Sequence, residues 1–295
     1  MDVSIIIVNY NTLALTRNCL KSIYEKTKDI EFEVIVSDNG SNDGSVEMIK
    51  NQFPQVILIE NNANLGFGKA NNIGYRHARG RYVLFLNSDT VLLNNAVKLF
   101  ADKIQTLPEN IACLGCRLSG VDGRNIHSYG NFPTFWNELR RRPFAFLDFL
   151  KLGNKGFDTN PIETIGNNCY LVEYITGADL FIKKSVIEKY GLFDEDFFMF
   201  YEDTEIQYRY KKNGLYSCII ESPKIMHLWG GSNTKHSKLG KDIKSLMLCY
   251  KKIHGDRAKR IFKIVLLIFS SLTVFFYLSY TLKEKIEYLK TIRNN

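Results

Sequence analysis

The chain has 295 residues, 45% of them hydrophobic and 24% charged, with 20 glycines and 6 prolines. That balance supplies a sizeable core and excludes disorder, collagen-like repeats and solenoid arrays. The net charge of +8 invites a nucleic-acid partner, but residues 1–236 sum to −1 and residues 237–295 to +9, so the body is neutral and no nucleic-acid partner is expected.

Residues 3–8 form an apolar run broken only by Ser4, the pattern of a buried parallel strand. Residues 12–25 have helical spacing, 32–37 read as a strand, and the Asn39-Gly40-Ser41-Asn42-Asp43-Gly44 turn leads into a helix over 45–51. Strands are predicted at 56–60, 82–86 and 111–116, with helices at 67–78 and 94–107. This rhythm predicts an α/β fold: a mostly parallel sheet with helices on both faces and ligands beyond the carboxyl ends of the strands.

After residue 118 the pattern loosens. Asp122-Gly123 reads as a hairpin turn, and residues 133–156 form an aromatic, basic stretch without period, expected to be a mobile acceptor-side loop. Strands are predicted at 170–175, 178–182 and 216–220, and helices at 184–190, 203–212 and 238–263. The organisation expected is one domain over 1–236, with a regular half (1–118) and a looser half (119–236), followed by a basic helical tail over 237–295.

Residues 264–282 are 19 positions without a formal charge, close to the ~20 needed to cross a bilayer, with basic residues on both sides. They are expected to contact the membrane, either spanning it or lying in its plane, with the body at the cytoplasmic face of the inner membrane. The six cysteines are scattered. Cys113 and Cys116 fall in a predicted strand, on opposite faces, and read as core thiols rather than metal ligands.

Three polar clusters follow strands: Asn9-Tyr10-Asn11, Asp38-Asn39 and Asn87-Ser88-Asp89. At one edge of one sheet they describe a pocket. Tyr10 offers a ring face to a base, Asp38 an acceptor for an imide N–H, and Asp89 a ligand for a hard cation that neutralises a diphosphate. The dinucleotide alternative fails because no Gly-x-Gly-x-x-Gly follows the first strand, and no Gly-x4-Gly-Lys-Ser/Thr loop exists.

With these residues quoted, the chain resembles glycosyltransferase family 2, and most of all its rhamnosyltransferase-like bacterial branch. The resemblance runs through residues 3–11, 36–45, Asn64-Leu65-Gly66-Phe67-Gly68-Lys69-Ala70-Asn71-Asn72 and Leu86-Asn87-Ser88-Asp89-Thr90. It continues through Thr176-Gly177-Ala178, Gly191-Leu192-Phe193-Asp194, Tyr201-Glu202-Asp203 and His227 with Gly230-Gly231-Ser232, covering roughly residues 1–235.

The resemblance implies a GT-A fold and an inverting, metal-dependent enzyme that moves a sugar, rhamnose among the candidates, from a dTDP- or UDP-sugar. Val8, Tyr10, Asn11, Asp38, Asn64, Gly66, Asn87 and Ser88 would bind the donor. Asp89 and His227 would hold Mn²⁺ or Mg²⁺, with Asn87 replacing the acid of the fuller Asp-x-Asp motif. Asp203 would be the general base, with Glu202 in reserve and a helix N-cap as the alternative for Asp203. Gly177, Ala178, Asp179 and Trp229 would line the acceptor side, and the cationic tail points to a lipid-linked oligosaccharide acceptor in surface polysaccharide synthesis. The competing reading is a catalytically silent nucleotide-sugar-binding subunit that scaffolds partner enzymes at the membrane.

Overall fold

The computed structural model describes residues 1–141, 163–166, 168–228, 235–273 and 282–295. The chain runs β1 (Val3–Asn9), α1 (Leu13–Lys26), β2 (Phe32–Asp38), α2 (Ser45–Gln52), β3 (Ile57–Glu60), α3 (Phe67–Tyr75), β4 (Tyr82–Asn87) and β5 (Thr90–Leu92). Then come α4 (Ala96–Gln105), β6 (Ile111–Cys116), β7 (Tyr129–Gly130), α5 (Phe135–Arg141), β8 (Glu163–Thr164), β9 (Cys169–Val172) and β10 (Tyr174–Ile175). The order ends with β11 (Asp179–Lys183), α6 (Lys184–Tyr190), α7 (Glu202–Lys212), β12 (Tyr216–Ile220), β13 (Ile225–His227), α8 (Lys235–Thr273) and α9 (Leu282–Asn294).

One large sheet has the order β3-β2-β1-β4-β11-β6-β12-β9-β8. Strands β3, β2, β1 and β4 are mutually parallel, as are β6 and β12. The apolar run of β1 explains its central place, because both of its faces are covered. Ile5 and Ile7 pack with Leu20, Ile23 and Phe100 from α1 and α4, while Ile6 packs on the other face with Phe85, Ile206 and Tyr210.

Strand β11 runs antiparallel to both β4 and β6, which makes the sheet mostly rather than wholly parallel. The reversal has a local consequence. The residues leading into β11, Thr176-Gly177-Ala178, sit at the carboxyl edge of β4, where Asn87 N donates to Ala178 O at 3.0 Å. Cys113 and Cys116 lie on opposite faces of the sheet, and all six cysteines are buried and free.

The tail departs from a simple apolar run. Helix α8 breaks at Gly255 (φ 87°, ψ 170°), a conformation that a side chain would strain. Its second arm and α9 close a small core in which Phe262 and Leu266 meet Ile243, Leu246, Tyr250 and Ile292. The Tyr250 and Phe262 rings stack at 4.4 Å. Part of the stretch expected to face lipid is therefore turned inward. Among the described residues no helix is long and apolar enough to cross a membrane. Residues 274–281 of that stretch, Trp229, Gly230-Gly231-Ser232 and most of the 133–156 segment lie outside the described residues. Within the 133–156 segment the start is helical, as α5.

Candidate active site

The carboxyl edge of the parallel strands gathers the polar clusters. Parallel register sets Asn9 beside Asp38 and Val8 beside Asn87. Asn9 is fully buried; its amide donates to Asp38 Oδ2 at 2.5 Å and to Ser41 Oγ at 3.0 Å, and its Oδ1 accepts from Thr12 and Thr16 hydroxyls. Asp38, 1% exposed, accepts four bonds: from Gly40 N, Ser41 N, Ser41 Oγ and Asn9 Nδ2. Four is the in-plane capacity of a carboxylate, so an imide N–H reaches Asp38 only by displacing one of the chain's own donors.

The rim above this floor is open. Tyr10 is 43% exposed. Asn11, at φ 52°, is tied to the neighbouring turn: its Oδ1 accepts from Asn42 N at 2.8 Å and its N–H donates to Ser41 Oγ at 2.9 Å. Asn39 donates to Gly66 O at 3.1 Å, and Asn64 Oδ1 accepts from Gly66 N at 3.1 Å. Gly66 must be glycine here: a Cβ would stand 2.2 Å from Phe198 O, and its φ is 86°. The close approach lets Phe67 N donate to Phe198 O at 2.9 Å, so the 64–67 loop and the 197–201 segment are bonded to one another.

Beyond β4 the chain turns through Asn87-Ser88-Asp89 into β5, which pairs antiparallel with β13 and sets Thr90 opposite His227. Leu228 N donates to Asp89 O at 2.8 Å. Residues 138 positions apart thereby meet: His227 Nε2 lies 3.0 Å from Asp89 Oδ1 and 3.5 Å from Asn87 Nδ2. Neither side chain of the Asp89–His227 pair exceeds 14% exposure. Short apolar pairs, Val91-Leu92 and Ile225-Met226, were the sole trace of this two-stranded piece in the sequence.

An imidazole nitrogen and a carboxylate oxygen 3.0 Å apart fit neighbouring positions around one octahedral ion, whose ligands at ~2.1 Å stand ~3 Å from each other. Among the described residues no cluster of three or more His, Cys, Asp or Glu could hold a metal, so these residues would offer an ion two donors, Asp89 and His227. The donor set fits a hard divalent cation on those terms.

A pair of acids stands at the start of α7. Phe200 and Tyr201 precede it with φ of 71° and 68°, a left-handed pair that bulky residues adopt only under constraint. Tyr201 occupies the cap position, so Asp203 is the second residue of the helix and not its cap. Asp203 Oδ2 accepts from Gly177 N at 2.8 Å, and Oδ1 accepts from Thr204 N at 2.7 Å. Burial raises the Asp203 carboxyl above its ordinary value, opposed by the N–H groups of Gly177 and Thr204.

Glu202 is buried and its Oε2 has no partner among the described residues. Burial first, and then the Asp203 charge, pushes it up to about 8. Gly177 and Ala178 enter through their backbone, Gly177 N toward Asp203 and Ala178 O toward Asn87.

Asp179 requires a correction. It does not line the acceptor side; it is 0% exposed, between β11 and β6, where Oδ2 accepts from Cys116 N at 2.6 Å and burial pushes it up to about 8. Asp179 is the first residue of β11 and pairs with Leu86 inside the sheet, whereas Gly177, two residues earlier, precedes the strand at its rim. Two hydrogen bonds in series therefore link the end of β4 to the start of α7: Asn87 N to Ala178 O, and Gly177 N to Asp203 Oδ2.

The family model described as Glycosyl transferase family 2 matches residues 4–165. An N-acetylglucosaminyl-diphospho-decaprenol L-rhamnosyltransferase of Mycobacterium tuberculosis is 25% identical over 205 residues, 66% of this chain and 66% of that protein. An uncharacterized glycosyltransferase of Bacillus subtilis, YfnE, is 37% identical over 101 residues, 33% of this chain. The matched part thus spans a quarter of YfnE (25%) and just under two thirds of the mycobacterial protein (66%).

Among solved structures, S. aureus TarS 1-349 superposes with a TM-score of 0.60 at 18% identity, covering 99% of this chain and 79% of that one. The mannosyltransferase PcManGT of Pyrobaculum calidifontis, in complex with GDP-Man and Mn²⁺, gives 0.59 at 16% identity, covering 96% and 77%. Such likenesses establish the fold, a GT-A-like α/β arrangement with a mostly parallel central sheet. With more than half of its length matched by the family model, and the sheet edge built as described, the chain belongs to glycosyl transferase family 2.

Proposed function

We propose that the chain is a metal-dependent, inverting glycosyltransferase of glycan biosynthesis, acting over residues 1–236 on a nucleoside-diphosphate sugar. The observation that carries the reading is the bonded series from Asn87 through Ala178 and Gly177 to Asp203, which holds a carboxylate base against the edge that would seat the donor diphosphate. On that geometry Tyr10 stacks on the base, the 38–41 and 64–66 loops shape the nucleoside pocket, and Asn87 and Ser88 face ribose and phosphate. A divalent cation held by Asp89 and His227 would neutralise charge on the leaving diphosphate. Asp203 takes the proton of the acceptor hydroxyl as its oxygen bonds to the anomeric carbon. The bond from that carbon to the diphosphate oxygen breaks on the opposite face, and nucleoside diphosphate leaves.

The relatives suggest candidate substrates. The mycobacterial protein is named a rhamnosyltransferase onto a diphospho-decaprenol acceptor, and a Bacillus spizizenii relative, 31% identical over 131 residues, a poly(ribitol-phosphate) beta-glucosyltransferase. A panel of dTDP-rhamnose, UDP-glucose and UDP-N-acetylglucosamine, scored by released nucleoside diphosphate, is expected to give turnover with one donor and only with Mn²⁺ or Mg²⁺ added. Binding of every donor without turnover of any would favour the silent scaffold subunit.

The acceptor is proposed to be lipid-linked, at the cytoplasmic face of the cell membrane, with the tail lying in the membrane plane. Ile261, Ile264 and Ile268, each more than half exposed, form one stripe on α8 opposite buried Phe262 and Leu266, and exposed Arg257 and Arg260 border it. An apolar stripe flanked by guanidinium groups suits an anionic leaflet. The full chain should co-sediment with vesicles rich in phosphatidylglycerol. Ile264→Asp with Ile268→Asp is expected to cut the bound fraction at least ~10-fold, given the cost of placing a carboxylate at that depth. Equal sedimentation of the double variant, or none by the parent chain, would rule out this surface.

A further inference from the structure

Gln207 is 1% exposed on α7, buried like Ile206 and Tyr210 of the same helix. Its amide makes all four bonds open to it. Oε1 accepts from Ile175 N at 2.9 Å and from Ser217 Oγ at 2.8 Å; Nε2 donates to Ile175 O at 2.7 Å and to Asp203 O at 2.8 Å. The side chain therefore behaves as one rung of a strand, pairing with both backbone groups of Ile175 where the short β10 leaves the ladder of β9.

That rung has a specific position. Ile175 lies two residues before Gly177, whose N–H holds Asp203, and three before Ala178, whose carbonyl holds Asn87. Two ties join α7 to this segment, one through the carboxylate of Asp203 and the other through the amide of Gln207. The carboxylate tie must yield when Asp203 takes a proton and weakens as an acceptor. The amide tie carries no charge and does not change during that event.

We infer that Gln207 is a positioning residue: it fixes the helix bearing the base to the strand entry that is bonded to the donor edge, and so sets the gap between Asp203 and the anomeric carbon. The inference rests on the reading of Asp203 as general base. A buried primary amide is costly unless fully bonded, and Leu would fill the same volume, so spending four bonds here secures geometry more than cohesion.

The test compares Gln207→Leu and Gln207→Glu with the parent enzyme and with Asp203→Asn, using the donor among dTDP-rhamnose, UDP-glucose and UDP-N-acetylglucosamine that turns over. Titration with UDP and dTDP counts the sites that still bind nucleotide. Per such site, Gln207→Leu should lose ~10²-fold in kcat with donor KM and nucleotide affinity within about twofold of the parent, as sub-ångström misplacement of a base demands. Gln207→Glu keeps the two accepted bonds, loses the donated pair, and should lose ~10-fold. A purely structural role would instead lower the number of binding-competent sites and leave kcat per site intact, which overturns the inference. If Gln207→Leu fails to fold, Gln207→Glu decides by the same split. Full turnover by Asp203→Asn overturns the base reading and this inference together; an inactive Asp203→Asn beside fully active Gln207 variants overturns the inference alone.

Discussion

Asp203→Asn should abolish turnover while leaving nucleotide binding intact. The substitution keeps the shape but sets an amide NH2 against one of the two backbone N–H donors, Gly177 or Thr204, and removes the carboxylate that would accept the proton. General-base loss alone is worth ~10²–10⁴-fold. Calorimetric UDP or dTDP affinity should stay within a factor of about two, because both Asp203 carboxylate oxygens are engaged by the chain's own N–H groups, those of Gly177 and Thr204, rather than by the nucleotide. The sign of the pH dependence follows from the raised Asp203 carboxyl: the base is competent only when ionised, so kcat of the parent falls as pH drops through a value above the ordinary aspartate range. The residual rate of Asp203→Asn should lack that acid limb. A variant retaining the parent's rate and limb would move the chemistry elsewhere.

The second large effect is expected just beyond β4. Asp89→Asn should lower kcat by ~10²–10³-fold, the magnitude typical of removing one preorganised electrostatic partner of a leaving group. His227→Ala should cost ~10-fold or more, in line with the loss of one ligand-shell contact. The discriminating measurement is UDP affinity with and without Mn²⁺. In the parent the cation should tighten binding, and in Asp89→Asn that gain should disappear while affinity in chelator stays the same. Identical Mn²⁺ enhancement in parent and variant would show that the 3.0 Å Asp89–His227 contact is a plain hydrogen bond that fixes β5 to β13.

How legible these groups were depends on the range of the forces that place them. β1, β2 and β4 are buried on both faces, so their sequences are nearly continuous apolar runs and their ends stand out where Asn9, Asp38 and Asn87 begin. Asp203 was singled out by the resemblance, and the apolar stretch Phe197–Tyr201 ahead of it pointed to a desolvated carboxyl, which its burial now matches. The direction of β11 was not legible: five apolar-rich residues read alike in either direction, and only the neighbours on both sides fix which way they run. That one unknown decided the fate of Asp179, buried rather than lining a surface. The pairing of β5 with β13 was equally hidden, because three-residue strands more than 130 positions apart leave no periodic trace. Gln207 looked like an ordinary polar residue of a polar helix, and its value appears only once Ile175 and Ser217 are in contact with it.

Strand β11 also bears on the order in which the molecule can be assembled. β4 and β6 are not neighbours; β11 is inserted between them and supplies hydrogen bonds to both. A chain emerging from the ribosome therefore carries β1 to β4 as a sheet with one bare, apolar margin until residue 183 is outside the exit tunnel. Exposed margins of that kind recruit other strands. Translational pausing between residues 120 and 180, or truncation in that interval, would leave a species prone to association, so the first half of the sequence depends on the second for solubility as well as for chemistry.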